Sequence, residues 1–308
     1  MGEAREIWAL TAWAGDADAM SRAALASRMA AWIAAGGNGI SLLTCHRAEL
    51  YGIGDRPVLG APTELSGRSA IRHLLRVAAG LESAIVGEDE VLHQVRQALR
   101  DAREAGLPDY RLGRLFDGAI ATGRRARAAH PRASISLADR AVQWLGERVS
   151  FRGSEILIVG SGRVGAAAMR AVVAQGARVA VASRSAERAQ RLAAIYGVEG
   201  YDLHEAAQRA QQSDGIVIAL AGAWPETAEL AGALPPIADL SAPPALADHV
   251  RAAAAHHLSI DELVAGGTLP PAGYVDAAMR EVDRGVLELT DWLEQRDRLE
   301  LRRAAASR

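Results

Sequence analysis

Residues 156–165 read Ile156-Leu157-Ile158-Val159-Gly160-Ser161-Gly162-Arg163-Val164-Gly165, and the helix-forming run Ala166 to Ala174 follows. Four consecutive apolar residues predict a buried strand, and the glycines fall in the order G-x-G-x-x-G between that strand and the helix. In such a unit Gly160 turns the chain, Gly162 lets the backbone approach a pyrophosphate, and Gly165 lets helix and strand pack closely. The pyrophosphate then rests on free N–H groups at the helix N-terminus, with Ser161, Arg163 and Val164 completing the loop. Any glycine-rich turn can match the pattern by itself; the flanking strand and helix favour a dinucleotide over a purely structural turn.

Downstream, Val179 to Ala182 predicts a second strand, ending in Ser183-Arg184-Ser185. An NAD site usually carries Asp or Glu there for the ribose 2′-hydroxyl. A hydroxyl and a guanidinium instead suit a 2′-phosphate, so the expected cofactor is NADP(H), against the plainer reading of a solvated turn with a surface Arg184. Further apolar runs at Ile216–Leu220, Ile237–Leu240 and His257–Ile260 alternate with helical segments. Such alternation predicts a parallel sheet with right-handed crossovers. Residues 136–270 are therefore expected to form a Rossmann-type NADP-binding domain, opening with a linking helix over Leu137–Val149.

On the N-terminal side the pattern is α+β. The first strand it marks is Ile40–Leu43, after an amphipathic helix over 18–36; a second covers roughly Ala48–Ile53. Residues 55–62 read as a loop, and helices are expected over about 69–84, 89–105 and 109–129. From Val275 a single helix is expected, with Val275, Met279, Val282, Val286, Leu289 and Leu293 on one stripe. A stripe that long must cover another surface, in this chain or in a second copy. The fold class is thus α/β in three parts: a catalytic α+β domain (1–135), the NADP-binding domain (136–270) and a long C-terminal helix (271–308).

Composition sets outer bounds. The chain has 308 residues, 50% apolar and 23% charged, with a net charge of −2. That balance is globular and carries no global basic field, so contact with RNA would need a local patch. All basic side chains apart from histidine are Arg; a genome base bias explains this better than a preference for phosphate forks. The N-terminus lacks a signal-peptide core, and no apolar run is long enough for a membrane span. The cytoplasm and no membrane partner are the default expectation. One cysteine, Cys45, leaves no internal disulfide or multi-cysteine metal site.

Most lone cysteines are inert packing. Cys45, however, sits in Thr44-Cys45-His46-Arg47, where neighbouring cations would raise its thiolate fraction. The segment Ser41-Leu42-Leu43-Thr44-Cys45-His46-Arg47-Ala48-Glu49-Leu50-Tyr51 resembles the active-site segment of glutamyl-tRNA reductases, usually S-T-C-N-R-T-E-x-Y. The run His73-Leu74-Leu75-Arg76-Val77-Ala78-Ala79-Gly80-Leu81-Glu82-Ser83 is similar to that family's H-L-x-R-V-A-x-G-L-D-S, and Val86-Gly87-Glu88-Asp89-Glu90-Val91-Leu92-His93-Gln94-Val95 to its L-G-E-x-Q-I-L-x-Q-V. Ser183-Arg184-Ser185-Ala186-Glu187-Arg188-Ala189 and Asp239-Leu240-Ser241-Ala242-Pro243 follow in family order, and the likeness runs from about Ile40 to Trp292.

The resemblance implies a chemistry. The Cys45 thiolate would attack the ester joining glutamate to the tRNA 3′ end, leaving a thioester that NADPH reduces to glutamate-1-semialdehyde, the precursor of 5-aminolevulinate and the tetrapyrroles, porphyrins among them. By family position His73 would be the acid/base or orienting group. Arg47 would clamp the substrate α-carboxylate, and Thr44, His46, Ser83, Glu88, Asp89, Glu90 and Gln94 would line the glutamate pocket. Arg111, Arg114, Arg124, Arg125, Arg127 and Arg132 would either meet tRNA phosphates or form a solvated, acid-paired face. The implied partners are glutamyl-tRNA(Glu), a semialdehyde-receiving enzyme and a second copy of the chain.

The sequence departs from the family pattern at His46, where Asn is usual, and at Glu90, where Gln is usual. The usual opening G-x-N-H-x-x-A-P is not visible over 8–17. The chain is expected to be a short form, carrying little of the helical dimerisation domain. Two other readings stay open: an NADP-dependent dehydrogenase of another small substrate, and a non-catalytic homologue that binds tRNA or a partner.

Overall fold

The computed structural model describes all residues except 1–5, 45, 84–85, 87–89, 107–108, 129–135, 231, 266–272 and 307–308. Cys45, Glu88, Asp89 and Arg132 therefore lie outside the described residues. The chain divides into two compact units, residues 1–134 with 268–308 and residues 135–267.

The first unit opens with strand β1 (Ile7–Trp13), where the sequence reading has none. Trp8, Leu10 and Ala12 pack on one side with Leu25, Met29 and Leu50, whereas Ile7 and Ala9 belong to the core on the other. With both faces buried, the strand shows no apolar–polar alternation, the signal by which a half-buried strand is recognised. Helix α1 (Ala19–Ala34) follows, its N-terminus capped by Asp18, whose carboxylate accepts from the Ser21 N–H. Strands β2 (Gly39–Leu43), β3 (Arg47–Ile53) and β4 (Thr63–Ser66) complete an antiparallel sheet of order β2-β3-β1-β4.

Three helices cover the face of this sheet opposite α1: α2 (Gly67–Ala78), α3 (Glu90–Glu104) and α4 (Tyr110–Ala128). Helix α2 stops at Ala78, short of its expected end, because Gly80 turns the chain with a φ of 73°.

The second unit begins with α5 (Leu137–Gly146), capped by Ser136 and Asp139 acting reciprocally. It continues through β5 (Glu155–Val159), α6 (Arg163–Ala174), β6 (Arg178–Ala182), α7 (Ala186–Tyr196), β7 (Glu199–Tyr201), α8 (Leu203–Ala210), β8 (Gly215–Ile218), β9 (Ile237–Asp239), α9 (Asp248–Ala253), β10 (His257–Ser259) and α10 (Ile260–Ala265). The strands form one parallel sheet of order β10-β9-β8-β5-β6-β7, the expected Rossmann-type architecture. Strand β7 has no counterpart in the sequence reading; Glu199-Gly200-Tyr201 is too short to carry a pattern. Chain order reverses direction across β5 and β8, which puts a crevice at their carboxyl ends.

The last helix, α11 (Tyr274–Ala306), belongs to the first unit, where it packs against α2 and α4. The sequence reading set residues 271–308 apart. Its stripe is seated on Tyr274, Ala278, Val282, Val286 and Leu289, all buried, whereas Val275 is 36% exposed. Tyr274 donates its hydroxyl to the Ala79 carbonyl at 2.5 Å. A Cβ at Gly285 would stand 2.6 Å from the Leu75 and Thr122 side chains, so a larger residue there would have to displace them. Among the described residues no helix is long and apolar enough to cross a membrane.

Candidate active site

Strands β2 and β3 pair antiparallel and are joined through residues 44–46. The Thr44 N–H donates to the Arg47 carbonyl at 2.9 Å, the His46 N–H donates to Thr44 Oγ1 at 3.2 Å, and the Ala14 N–H takes the His46 carbonyl. From this turn β3 sends Arg47, Glu49 and Tyr51 to one face, since side chains alternate along a strand. That face lies under the helices, so three polar groups enter the interior together.

They satisfy one another. Glu49 is fully buried; its Oε1 accepts from Arg47 Nη1 at 2.8 Å and stands 3.2 Å from His73 Nε2, and its Oε2 accepts the Tyr51 hydroxyl at 2.6 Å. Arg47 Nη2 also donates to the Glu82 carbonyl at 2.7 Å. Burial would push the Glu49 carboxyl up, but the charges of Arg47 and His73 and the hydrogen bonds of His73 and Tyr51 outweigh it and hold the group at about 2. For His73, burial works against the charge; the carboxylates of Glu49 and Glu82 prevail over it and raise its affinity for a proton. Burial and the Glu49 carboxylate together push the Tyr51 hydroxyl well up.

Of the residues expected at the glutamate pocket, Thr44, His46 and Arg47 cluster at the β2–β3 end, with His73 on α2 joined to them through Glu49. Ser83 follows Glu82, whose carbonyl holds Arg47, and its Oγ is buried with no hydrogen-bond partner among the described residues. Glu90 and Gln94 stand one turn apart at the start of α3, a helix packed against β2. Sequence reasoning gave no role to Glu49, Tyr51 or Glu82. The available signal was the alternation of Arg47, Glu49 and Tyr51 with Ala48 and Leu50, which puts a carboxylate between a cation and a phenol on one face.

The arginines read as a phosphate-binding cluster divide. Arg111 is 4% exposed and engages Asp297 and Glu300 on α11 at 3.2 and 2.5 Å. Arg125 pairs with Glu281 at 2.8 Å, and Arg127 donates to the Ala78 and Gly123 carbonyls. Arg114 lies over the Trp292 ring. These four fasten α4 to its surroundings; Arg124 is exposed.

In the second unit each glycine of the loop has its own cause. Gly160 has a φ of 130°, and a Cβ there would lie 2.3 Å from the Ala219 carbonyl oxygen. At Gly165 a Cβ would lie 1.8 Å from the Gly160 carbonyl oxygen, so helix and loop touch backbone to backbone. At Gly162, the N-cap of α6, a Cβ would meet nothing within 4 Å: the loop leaves open the space a pyrophosphate would occupy. Ser183 at the end of β6 is buried, its hydroxyl donating to the Ser185 carbonyl at 2.7 Å and accepting from the Ser185 N–H. Arg184 is exposed and reaches the Ala221 carbonyl at 3.4 Å, past the end of β8. Beside the crevice, buried Asp239 accepts from the N–H groups of Ser241 and Ala245, and Ser241 Oγ accepts from the Leu220 N–H at 3.0 Å. This clip ties the loops after β8 and β9 together. The residues present therefore fit a dinucleotide.

Residues 16–130 match the family model "Glutamyl-tRNAGlu reductase, N-terminal domain", and residues 139–265 match "Shikimate / quinate 5-dehydrogenase". The glutamyl-tRNA reductase of Thermus thermophilus is 37% identical over 200 residues, 60% of this chain and 51% of that one. That of Caldivirga maquilingensis is 34% identical over 221 residues, 66% of this chain and 54% of that one. The chain thus spans about half the length of these relatives. The solved glutamyl-tRNA reductase of Methanopyrus kandleri aligns with a TM-score of 0.49 at 24% identity, over 97% of this chain and 82% of that one.

Proposed function

We propose that this chain is a member of the glutamyl-tRNA reductase family and reduces glutamyl-tRNA(Glu) to glutamate-1-semialdehyde with NADPH, the first step toward 5-aminolevulinate and the porphyrins. The Cys45 thiolate attacks the acyl carbon, the C–O bond to the tRNA ribose breaks, and a thioester remains. NADPH, when bound, supplies the hydride that reduces it. Gly162 and the first turn of α6 receive the pyrophosphate, and Ser183 with Arg184 receive the 2′-phosphate. Arg47 meets the substrate α-carboxylate, and Thr44, His46, Ser83, Glu88, Asp89, Glu90 and Gln94 line the pocket. Ser83 supports this assignment with a buried hydroxyl that lacks a partner among the described residues.

The observation that carries the reading is the group formed by Arg47, Glu49 and His73, with Arg47 and Glu49 buried, at the start of the strand that follows Cys45 in the chain. Burying an ionised carboxylate is costly unless charges and hydrogen bonds compensate it, and such compensated groups gather at functional sites. The semialdehyde is reactive, so a receiving enzyme forms part of the same proposal.

The test is trapping. Purified protein is incubated with tRNA carrying radiolabelled glutamate, with and without NADPH, as wild type and as Cys45→Ser. Label held by the wild type alone and released as semialdehyde on adding NADPH is the expected result. Equal turnover by Cys45→Ser would overturn the thioester route, and absence of both trapping and product would overturn the activity.

A further inference from the structure

Glu49 has three donors around two oxygens, and each donor is accounted for. Oε2 takes the Tyr51 hydroxyl; Oε1 takes Arg47 Nη1 and faces His73 Nε2. A carboxylate held ionised beside a guanidinium can only accept, so the hydrogen between Oε1 and His73 Nε2 belongs to the ring. That fixes the tautomer by chemistry. His73 Nδ1 makes no hydrogen bond among the described residues, and the side chain is 21% exposed whereas Glu49 is sealed. One nitrogen of the ring is thereby committed to the interior, and the other carries no such commitment.

We propose that Glu49 is a positioning residue: it clamps His73 through Nε2, so that Nδ1 is the atom that delivers a proton in the reaction proposed above, on which this inference rests. The step balances. As Cys45 Sγ bonds to the acyl carbon, the electron pair of the breaking C–O bond passes to the ribose oxygen. That oxygen takes the Nδ1 proton and leaves as a hydroxyl. The imidazolium becomes the neutral Nε2–H ring, still bonded to Glu49, ready to be recharged from solvent. Arg47 cannot replace His73 in this role, because a guanidinium does not give up its proton in this range. The charged groups facing the ring are Glu49 and Arg47 from β3 and Glu82 from the segment after α2, which is itself paired with Arg76. The two carboxylates outweigh the one cation at the ring, and the charged form persists to higher pH than in a free imidazole.

The experiment uses the full chain labelled with 15N-histidine; eight histidines give a countable spectrum, and His73→Gln identifies the resonance. In the wild type, Nε2 is expected to keep its hydrogen through the titration while Nδ1 alone titrates, with a midpoint above the ordinary histidine value. Glu49→Gln keeps the size and removes the charge; it is expected to lower that midpoint by about one unit or more. The alkaline limb of single-turnover glutamyl capture by Cys45 moves down with it. A neutral His73 protonated on Nδ1, or a midpoint that Glu49→Gln leaves in place, overturns the positioning role. The wild-type tautomer decides by itself if the variant does not fold. Failure of the wild type to capture glutamate, with the His73 titration as expected, overturns the reaction instead.

Discussion

Replacing Gly162 and Gly165 separately by alanine tests what the loop is for. At Gly165 the new Cβ would meet the Gly160 carbonyl oxygen at 1.8 Å, roughly 1.6 Å short of the 3.4 Å at which ordinary contact begins. Both partners are backbone, so no rotamer change relieves the clash; α6 must move off the end of β5. Overpacking of this kind costs about 3 kcal/mol, which in a unit of this size lowers the melting temperature by about 10 °C. At Gly162 the added Cβ meets nothing, and the backbone is extended with a φ of −75°. Exchanging one N-cap lacking a side-chain acceptor for another costs at most about 1 kcal/mol. Stability should therefore barely change, whereas NADPH binding, followed by nucleotide fluorescence, should fall at least about tenfold as the methyl enters the space for the pyrophosphate. Scanning calorimetry and fluorescence titration read the two effects separately. A Gly162→Ala protein that binds NADPH like the wild type would refute the cofactor role of the loop, and a Gly165→Ala protein that melts normally would refute the packing argument.

Two further outcomes follow from single contacts. Arg184→Asp should shift the ratio of NADPH to NADH affinity toward NADH by about ten- to a hundredfold, the worth of one charge-assisted hydrogen bond; an unchanged ratio would remove the 2′-phosphate assignment. Tyr274→Phe strips the buried Ala79 carbonyl of its donor and should cost about 1–3 kcal/mol in urea unfolding, whereas an unmoved midpoint would mean that α11 is not fastened there.

What the sequence made legible was local. Ile156 to Gly165 carries its strand, turn and helix within ten residues, and the structure has β5, the loop and α6 where the reading has them. The same holds for β2, β3 and the helix that follows Asp18. What escaped depends on distant partners. β1 lies between β3 and β4 with both faces covered, so Ile7–Trp13 is apolar without a period. Arg111 and Arg125 look like a basic helix face until Asp297, Glu300 and Glu281 arrive from more than 150 residues away. Glu49 stood inside a quoted motif, yet only the fold shows that Arg47, Tyr51 and His73 converge on it. The α11 stripe was read from Val275, but the buried line begins with Tyr274, because the register of a helix is set by the surface it meets.

The first unit is built from two stretches of chain separated by the whole of the second. A ribosome delivers α2 and α4 early, with Leu75, Phe116 and Ala119 uncovered, and delivers Val282, Val286 and Leu289 only after residues 135–267 have emerged. The middle unit is continuous in sequence and can close as soon as it is free. The nascent protein thus carries a finished second unit in the midst of an unfinished first one, and the seam left open longest is the one α11 seals.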